Sequence, residues 1–152
     1  MITCIAIDDE PKALEVIKNH AARIDFLSLK KIFTDPFQAI NYLEKNSVEL
    51  VFLDINMPDI DGLQLRQNFI REPLIIFTTG HSEYAIKSYE LAAFDYLLKP
   101  FDFSRFLLAV SRVKERVQEE ARNSEFFFVN TGHQRQRVEY REIRLVEGKG
   151  NY

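Results

Sequence analysis

The sequence predicts a doubly wound α/β fold built on a five-stranded parallel sheet. Five short apolar runs occur along the chain, and a segment with helical periodicity follows each of them. The runs are rich in Ile, Val, Phe and Leu on both faces, which is typical of strands buried inside a parallel sheet. Successive strand–helix units favour right-handed crossovers that place helices on both faces of the sheet.

The predicted strands are short, and each helix between them has one apolar face. The strands are expected at residues 2–7, 27–33, 48–53, 74–79 and 94–98. The first helix is expected to bury a face formed by Ala13, Val16, Ile17, Ala21 and Ile24. Similar spacing predicts three further helices around residues 39–43, 63–69 and 85–91.

The fifth predicted helix begins near Phe103 and has two different halves. Apolar residues recur at alternating spacings of three and four, which indicates a core-facing stripe or the seam of a short coiled coil. They are Phe103, Phe106, Val110, Val113 and Val117. The first half is expected to pack on the sheet. The second half, residues 114–122, is heavily charged and is expected to be a solvated helical linker.

Residues 123–152 differ in character and are expected to form a separate segment. Apolar runs at 126–129 and 138–140 flank a turn-like Thr131-Gly132-His133, which predicts a hairpin, and a third run follows at 143–146. Two or three strands do not form a stable core alone, so this segment is expected to begin a further domain. The predicted domains are therefore residues 1–122 and 123–152.

Composition restricts the classes of function. The net charge of −3 does not by itself indicate a nucleic-acid-binding surface. Cys4 is the only cysteine, so the chain has no internal disulfide, and its apolar neighbours predict a buried thiol. No run is long enough to span a membrane and no signal peptide is recognised, so a cytoplasmic protein without membrane contact is expected.

Acidic residues follow two of the predicted strands. Asp8 and Asp9 come after the first strand, and Asp54 comes after the third. Ligands of doubly wound sheets bind at the carboxyl ends of the strands, so these carboxylates converge if the first and third strands are neighbours. Clustered carboxylates raise at least one pKa, and Mg²⁺, which prefers oxygen ligands, would relieve their repulsion.

Polar residues after the fourth and fifth strands complete a site for a phosphoryl group. Thr78 and Thr79 offer hydroxyls to an anion, Lys99 offers an ammonium, and Pro100 could fix the turn through a cis peptide bond. Together with the carboxylates these groups suit phosphoryl transfer, and one carboxylate could itself be the acceptor. Isolated charges at strand ends are commonly capping or solvated groups, but their joint placement favours a site.

Five motifs occur in order within residues 1–122. They are Asp8-Asp9-Glu10-Pro11, Leu53-Asp54-Ile55-Asn56-Met57-Pro58, Asp61-Gly62-Leu63, Phe77-Thr78-Thr79-Gly80 and Tyr96-Leu97-Leu98-Lys99-Pro100-Phe101. At this spacing they resemble the receiver domain of two-component response regulators. The resemblance implies a flavodoxin-like fold and transfer of a phosphoryl group from the phosphohistidine of a sensor histidine kinase. It implies a signalling switch and not an enzyme, apart from self-catalysed phosphorylation and dephosphorylation.

The resemblance gives a role to each polar residue of the predicted site. Asp54 matches the phosphoacceptor, and Lys99 matches the lysine that pairs with the phosphoryl group. Asp9 and Asp54 match direct Mg²⁺ ligands, and Asp8 matches the acid that acts through metal-bound water. Asn56 matches the position whose backbone carbonyl also coordinates the metal.

Further residues match positions that switch or tune members of this family. Thr79 matches the switch hydroxyl, and Tyr96 matches the aromatic residue that turns inward after phosphorylation. Asn56 and His81 match two positions that affect the lifetime of the phosphoryl group, in a direction that the sequence does not fix. An exposed histidine is more often inert. Gly80, where most relatives have Ala, is a mild departure that could loosen the following loop.

The resemblance also implies an output. Phosphorylation is expected to alter residues 83–91, the fifth strand and residues 103–113, and to create a homodimer contact there. The stretches 127–130 and 142–152 resemble the start of a LytTR-type DNA-binding domain, which implies transcription regulation by the full-length protein. The base-contacting residues would lie largely beyond residue 152, so this chain is expected to bind DNA weakly or not at all. An unrelated β appendage or a strand pair for oligomerisation remain alternatives.

Two other classes of function remain open. A phosphatase of the haloacid-dehalogenase type also uses a strand-end Asp with Mg²⁺, but it requires an acid two residues after its nucleophile, where Asn56 follows Asp54. A degenerate receiver would act only as a phosphorylation-independent interaction module. The usual sign of such a module is a missing acidic residue or lysine, and none is missing here.

Overall fold

Five parallel strands form the sheet of the first unit, Met1–Val113. In this computed structural model the described residues are 1–58, 60–69, 72–81, 93–123, 126–131 and 134–139. The strands of the sheet are β1 Ile2–Ile7, β2 Leu27–Phe33, β3 Leu50–Asp54, β4 Leu74–Thr79 and β5 Asp95–Leu98. The described helices are α1 Pro11–Ala21, α2 Pro36–Lys45, α3 Gly62–Arg66 and α4 Phe103–Asn123, and α4 corresponds to the fifth predicted helix.

The sheet has the strand order β2-β1-β3-β4-β5, so the chain winds outward from β1 in both directions. The register places Ile7 of β1 beside Leu53 of β3, and Asp54 of β3 beside Thr78 of β4. Because β1 and β3 are neighbours, the crevice of the fold opens where their carboxyl ends meet. The predicted flavodoxin-like, doubly wound five-stranded parallel sheet is confirmed.

The core lies on both faces of the central strands. Every residue of β3 is buried, and neighbours along a strand point to opposite faces of the sheet. On one face Phe52 stacks on Phe106 of α4, with the ring centroids 5.1 Å apart. On the other face Phe77 packs against Tyr96, with the centroids 5.5 Å apart. This close packing holds the carboxyl ends of the strands, and the polar residues there, in fixed positions.

Strand β3 begins two residues later and ends one residue later than predicted. Its later end arises because Asp54 still pairs with Thr78 of β4. Ahead of its start, the carboxylate of Glu49 accepts hydrogen bonds from the backbone N–H and the hydroxyl of Thr3, at 2.7 and 2.9 Å. The backbone of Asp54 is therefore part of the sheet and not of the following loop.

The predicted buried face of helix α1 is confirmed at Ile17, Ala21 and Ile24 but is wrong at Val16. Leu14, Ile17 and Ala21 are buried, whereas Val16 is 39% exposed. The apolar periodicity predicted the helix correctly, but Leu14 takes the place against the sheet that was assigned to Val16. The face containing Val16 is open to solvent instead.

Some predicted segments lie outside the described residues or are shorter than expected. The predicted helix at 85–91 lies outside, together with the residue range 83–91 of the expected dimer surface and the run at 143–146. The helix predicted around 63–69 is observed as the short helix α3. None of the described helices is long and apolar enough to cross a membrane.

The second unit, Lys114–Tyr152, contains the end of α4 and an antiparallel hairpin. Its strands, β6 Phe126–Thr131 and β7 Gln134–Glu139, pair with Phe126 opposite Glu139 and Thr131 opposite Gln134. The hairpin predicted from the apolar runs is confirmed. The domain boundary between residues 122 and 123 stays a prediction.

Candidate functional site

Three carboxylates meet at the carboxyl ends of β1 and β3. Asp8 and Asp9 directly follow β1, and Asp54 is the last residue of β3. One oxygen from each of the three side chains lies within 4.8 Å of the others. Asp8 and Asp54 are buried, whereas Asp9 is exposed. The sequence predicted that these carboxylates would converge if the first and third strands were neighbours. The strands are neighbours, and the convergence is confirmed.

Lys99 brings a positive charge to the two buried acids. Its Nζ lies 2.7 Å from Oδ2 of Asp8 and 2.9 Å from Oδ1 of Asp54. The residue follows β5, and its backbone N–H donates to the carbonyl of Thr79 at 2.8 Å. The Lys99–Pro100 peptide bond is cis, as the sequence suggested. One ammonium thus bridges carboxylates that come from two different strands.

The electrostatics of this cluster favour additional positive charge. Burial raises the pKa of Asp54 to about 6, with the charge of Asp8 adding to the shift and the hydrogen bond from Lys99 opposing it. Burial also raises the pKa of Asp8 against the opposing effect of Lys99. For Lys99, burial acts to lower the pKa, but the two carboxylates outweigh it and the pKa is raised. A single ammonium therefore does not fully compensate the desolvated carboxylates.

An open cavity of about 520 Å³ connects these groups to solvent. Its walls include Asp8, Asp9, Asp54, Asn56, His81 and Lys99. Six of the eight residues that the sequence assigned to the site thus line one cavity. Thr79 lies fully buried beneath it, and Tyr96 lines a separate surface depression beside β5.

The fold and this arrangement agree with a comparison to known protein families. The family model described as the response regulator receiver domain matches residues 4–111. The chain belongs to this family. It contains the receiver domain of a two-component response regulator, and the five-stranded parallel sheet with its acidic edge is the structure of that domain.

Individual proteins similar to this chain are transcriptional regulators and receiver domains. The transcriptional regulatory protein YpdB of Escherichia coli (strain K12) is 34% identical over 127 residues, which cover 79% of this chain and 50% of that protein. The sensory transduction protein LytR of Staphylococcus epidermidis is 37% identical over 115 residues, which cover 72% of this chain and 44% of that protein. The crystal structure of the response regulatory domain of protein mrkE from Klebsiella pneumoniae matches with a TM-score of 0.70 and 31% identity, covering 78% of this chain and 99% of that one. The chain spans about half the length of the curated relatives it matches.

The hydroxyl of Thr79 in the receiver domain accepts two hydrogen bonds. The backbone N–H of His81 donates to Thr79 Oγ1 at 3.1 Å, and Nδ2 of Asn56 approaches the same oxygen at 3.4 Å. Thr78 precedes it in the strand and so points to the opposite face of the sheet. Thr79, and not Thr78, therefore lies beside the side chain of Asn56. Its hydroxyl connects Asn56 and His81, the two positions predicted to affect the lifetime of the phosphoryl group.

Tyr96 is buried in the receiver domain, with 9% of its surface exposed. Its ring packs on Phe77, and burial raises the pKa of its hydroxyl. Among the described residues this hydroxyl has no hydrogen-bond partner. The ring therefore occupies an inward position.

An ion-pair network next to Tyr96 was not identified from the sequence. Arg105 Nη2 lies 2.6 Å from Oδ1 of Asp95, and the same guanidinium donates to the carbonyl of Tyr96. Burial acts to raise the pKa of Asp95, but the hydrogen bonds from Arg105 and from the backbone of Tyr96 outweigh it, so the pKa is lowered. Arg112 adds a longer contact to Asp95 at 3.3 Å. The only sequence signal was an acid at the start of an apolar strand with an arginine early in the next helix.

Proposed function

We propose that this receiver domain accepts a phosphoryl group on the carboxylate of Asp54 from the phosphohistidine of a sensor histidine kinase. The observation that carries the proposal is the position of Asp54, 2.9 Å from Lys99 and within 4.8 Å of Asp8 and Asp9. In the transfer, a carboxylate oxygen forms the new O–P bond while the N–P bond to the imidazole breaks. The imidazole nitrogen is the leaving group and takes up a proton.

The donor set around Asp54 fits Mg²⁺. Carboxylate and backbone carbonyl oxygens are the ligands that this hard cation prefers, and it commonly retains several waters. Asp9 and Asp54 would hold it directly together with the carbonyl of Asn56, and Asp8 would hold it through water. When bound, the ion neutralises negative charge that otherwise repels the incoming phosphoryl group. The raised pKa values of Asp54 and Asp8 are consistent with a site that favours a further cation.

Lys99 and Thr79 supply the contacts that distinguish the phosphorylated state. Lys99 already lies against Asp54 and would transfer its hydrogen bond to a phosphoryl oxygen. Thr79 would rotate its hydroxyl away from Asn56 and the backbone of His81 and donate to another phosphoryl oxygen. These contacts favour the conformation with Tyr96 inward, so phosphorylation shifts a population between two accessible states.

The altered surface would be a homodimer contact formed by residues 83–91, strand β5 and the first half of α4. Three apolar side chains on the described part of this surface support the proposal, because exposed large apolar groups favour association. They are Leu98, Leu107 and Leu108, which are 44%, 36% and 49% exposed.

The output would be transcription regulation through a LytTR-type DNA-binding domain that begins after residue 122. Support comes from the hairpin in the second unit and from the relatives, one of which is named a transcriptional regulatory protein and another LytR. The chain would have no enzymatic turnover beyond its own phosphorylation and dephosphorylation, in which Asn56 and His81 would set the rate of hydrolysis.

Intact mass spectrometry after incubation with acetyl phosphate tests the proposal. A single phosphoryl adduct is expected on the wild-type chain with Mg²⁺, and none is expected without Mg²⁺ or on Asp54→Asn. Release of inorganic phosphate from a phosphomonoester in steady turnover would instead favour a phosphatase. The complete absence of an adduct would leave a phosphorylation-independent interaction module.

A further inference from the structure

The turn between β3 and α3 folds back onto the backbone of Asp54. Gly62, the first residue of α3, is buried, and its N–H donates to the carbonyl of Ile55 at 2.9 Å. The N–H of Ile55 in turn donates to the carbonyl of Thr78 in β4 at 3.1 Å. The start of α3 is thus connected to the sheet through the residue that directly follows the proposed phosphoacceptor.

No room exists for a side chain at Gly62. A Cβ added there would overlap the carbonyl oxygen of Asp54 and would lie 3.1 Å from both the carbonyl carbon of Asp54 and the Cα of Ile55. All of these atoms belong to the backbone, so rotation of a side chain cannot relieve the overlap. Only a residue without Cβ allows α3 to lie directly against the peptide group of Asp54.

Asp61 holds the first turn of α3 in this place. Its carboxylate accepts from the N–H of Leu63 at 2.8 Å, and its carbonyl accepts from the N–H of Leu65 at 2.9 Å. Leu65 is fully buried in the core next to β3. The cap therefore orders the first turn of α3, and the buried side chain of Leu65 holds the helix against the core.

We infer that Gly62 is a positioning residue for phosphoryl transfer. By letting α3 pack on the Asp54 peptide, it fixes the backbone from Asp54 to Asn56, and with it the acceptor carboxylate relative to Lys99. This inference rests on the proposed phosphorylation of Asp54. A misplacement of about 1 Å at a reacting group can lower a rate by about 100-fold, so the close contact at Gly62 bears directly on the reaction.

The test compares Gly62→Ala with wild type as a function of acetyl phosphate concentration at saturating MgCl₂. The rate at saturating acetyl phosphate is expected to fall by about 10- to 100-fold, with a much smaller change in the concentration needed for half-maximal rate. The ¹⁹F spectrum of the beryllofluoride complex reports the acceptor geometry directly, and its resonances are expected to shift or broaden in Gly62→Ala. A role in stability alone would lower the unfolding midpoint and leave both readouts of the folded protein unchanged.

A second variant keeps the inference testable if Gly62→Ala does not fold. Asp61→Ala removes the cap of α3 without adding an atom near Asp54. Asp35→Ala is its matched control, because Asp35 caps α2 in the same way by accepting from the N–H of Phe37 at 2.9 Å. The two variants should lose similar stability, but only Asp61→Ala should lose rate, by several-fold.

The outcomes separate this inference from the proposed function. If wild type forms no adduct, phosphorylation of Asp54 is wrong and the inference fails with it. If wild type is phosphorylated while Gly62→Ala keeps more than half of its rate, the positioning role alone is wrong. The same holds if Gly62→Ala does not fold and the rates of Asp61→Ala and Asp35→Ala are equal.

Discussion

The ammonium nitrogen of Lys99 lies 2.9 Å from a carboxylate oxygen of Asp54, and both side chains are largely removed from solvent. The same nitrogen contacts Asp8 at 2.7 Å, so one cation balances two buried acids. Removing one member of such a group is costly, since the remaining charges stay desolvated and lose their partner. The stability of this unit therefore depends on a residue that the proposed phosphoryl transfer also uses.

We expect Lys99→Met to lower the free energy of unfolding by about 3 kcal/mol. Urea denaturation at pH 7 without divalent cations measures the change. Adding Asp54→Asn to this variant should restore part of the loss, because one of the two unpaired carboxylates is removed. The exposed Lys45 of α2 provides the control, and Lys45→Met should change stability by less than about 0.5 kcal/mol. Equal losses in the two lysine variants would contradict the prediction.

Without divalent cations, the stability difference between wild type and Asp54→Asn should depend on pH. Asp54 has a pKa of about 6 in the folded protein, above the ordinary value near 4 for an unfolded chain. Between about pH 4 and about pH 6, Asp54 keeps its proton in the folded state but loses it in the unfolded state. Binding of this proton stabilises the folded state. The contribution is fully present below about pH 4 and is lost as the pH rises through about 6. Wild type should therefore lose about 2 kcal/mol relative to Asp54→Asn over this range.

Urea denaturation between pH 4 and pH 8 in the presence of EDTA measures this difference. Asp25→Asn, at an exposed position outside the acidic cluster, is the control for the loss of a carboxylate in general. Addition of MgCl₂ should flatten the wild-type dependence, because a bound cation favours the ionised form of Asp54. If the curves of Asp54→Asn and wild type ran parallel in EDTA, the pKa of Asp54 would not be raised.

The strand-end residues could be predicted because each follows an apolar run directly. Asp8 and Lys99 directly follow β1 and β5, and Asp54 is the last residue of β3. A parallel sheet brings all carboxyl ends to one edge whatever the packing of the helices. The prediction for α1 was less accurate. Val16 and Leu14 both fit a helical period, and hydrophobicity alone does not decide which of two adjacent stripes meets the sheet.

The contacts that cross between elements could not be predicted. The bond between Asn56 and Thr79 depends on how the turn after β3 folds, and the overlap at Gly62 depends on how α3 approaches Asp54. The pair between Asp95 and Arg105 depends on the distance from β5 to the first turns of α4. Sequence periodicity describes one element at a time, so it carries no information on these distances.

Arg105 should contribute far more to stability than Arg112, although both contact Asp95. Arg105 lies closer to Asp95 and also donates to the carbonyl of Tyr96, whereas Arg112 is more exposed and makes one contact at 3.3 Å. We expect Arg105→Ala to cost about 1–2 kcal/mol and Arg112→Ala to cost less than about 0.5 kcal/mol. Chemical denaturation of both variants, alone and combined with Asp95→Asn, gives the coupling energies. A larger coupling for Arg112 than for Arg105 would refute this ranking.

The two glycines near the candidate site should respond in opposite ways to an added methyl group. At Gly80 a Cβ would meet no atom of the described residues within 4 Å, its two chain neighbours aside, and the backbone is not left-handed there. Gly80→Ala should therefore be neutral or should stabilise by up to about 1 kcal/mol, because alanine restricts the unfolded chain. Gly62→Ala places the same methyl group on the backbone of Asp54 and should destabilise by about 2 kcal/mol or more.

Thermal and urea denaturation of both alanine variants, side by side, measure this contrast. The added atoms are identical, so any difference in the free energy of unfolding reports the space available at each position. Loss of more than about 1 kcal/mol in Gly80→Ala would mean that the space beside Gly80 is filled in solution. An unchanged stability in Gly62→Ala would mean that α3 does not pack on the Asp54 peptide. The close contact between Gly62 and the backbone of Asp54 would then be wrong.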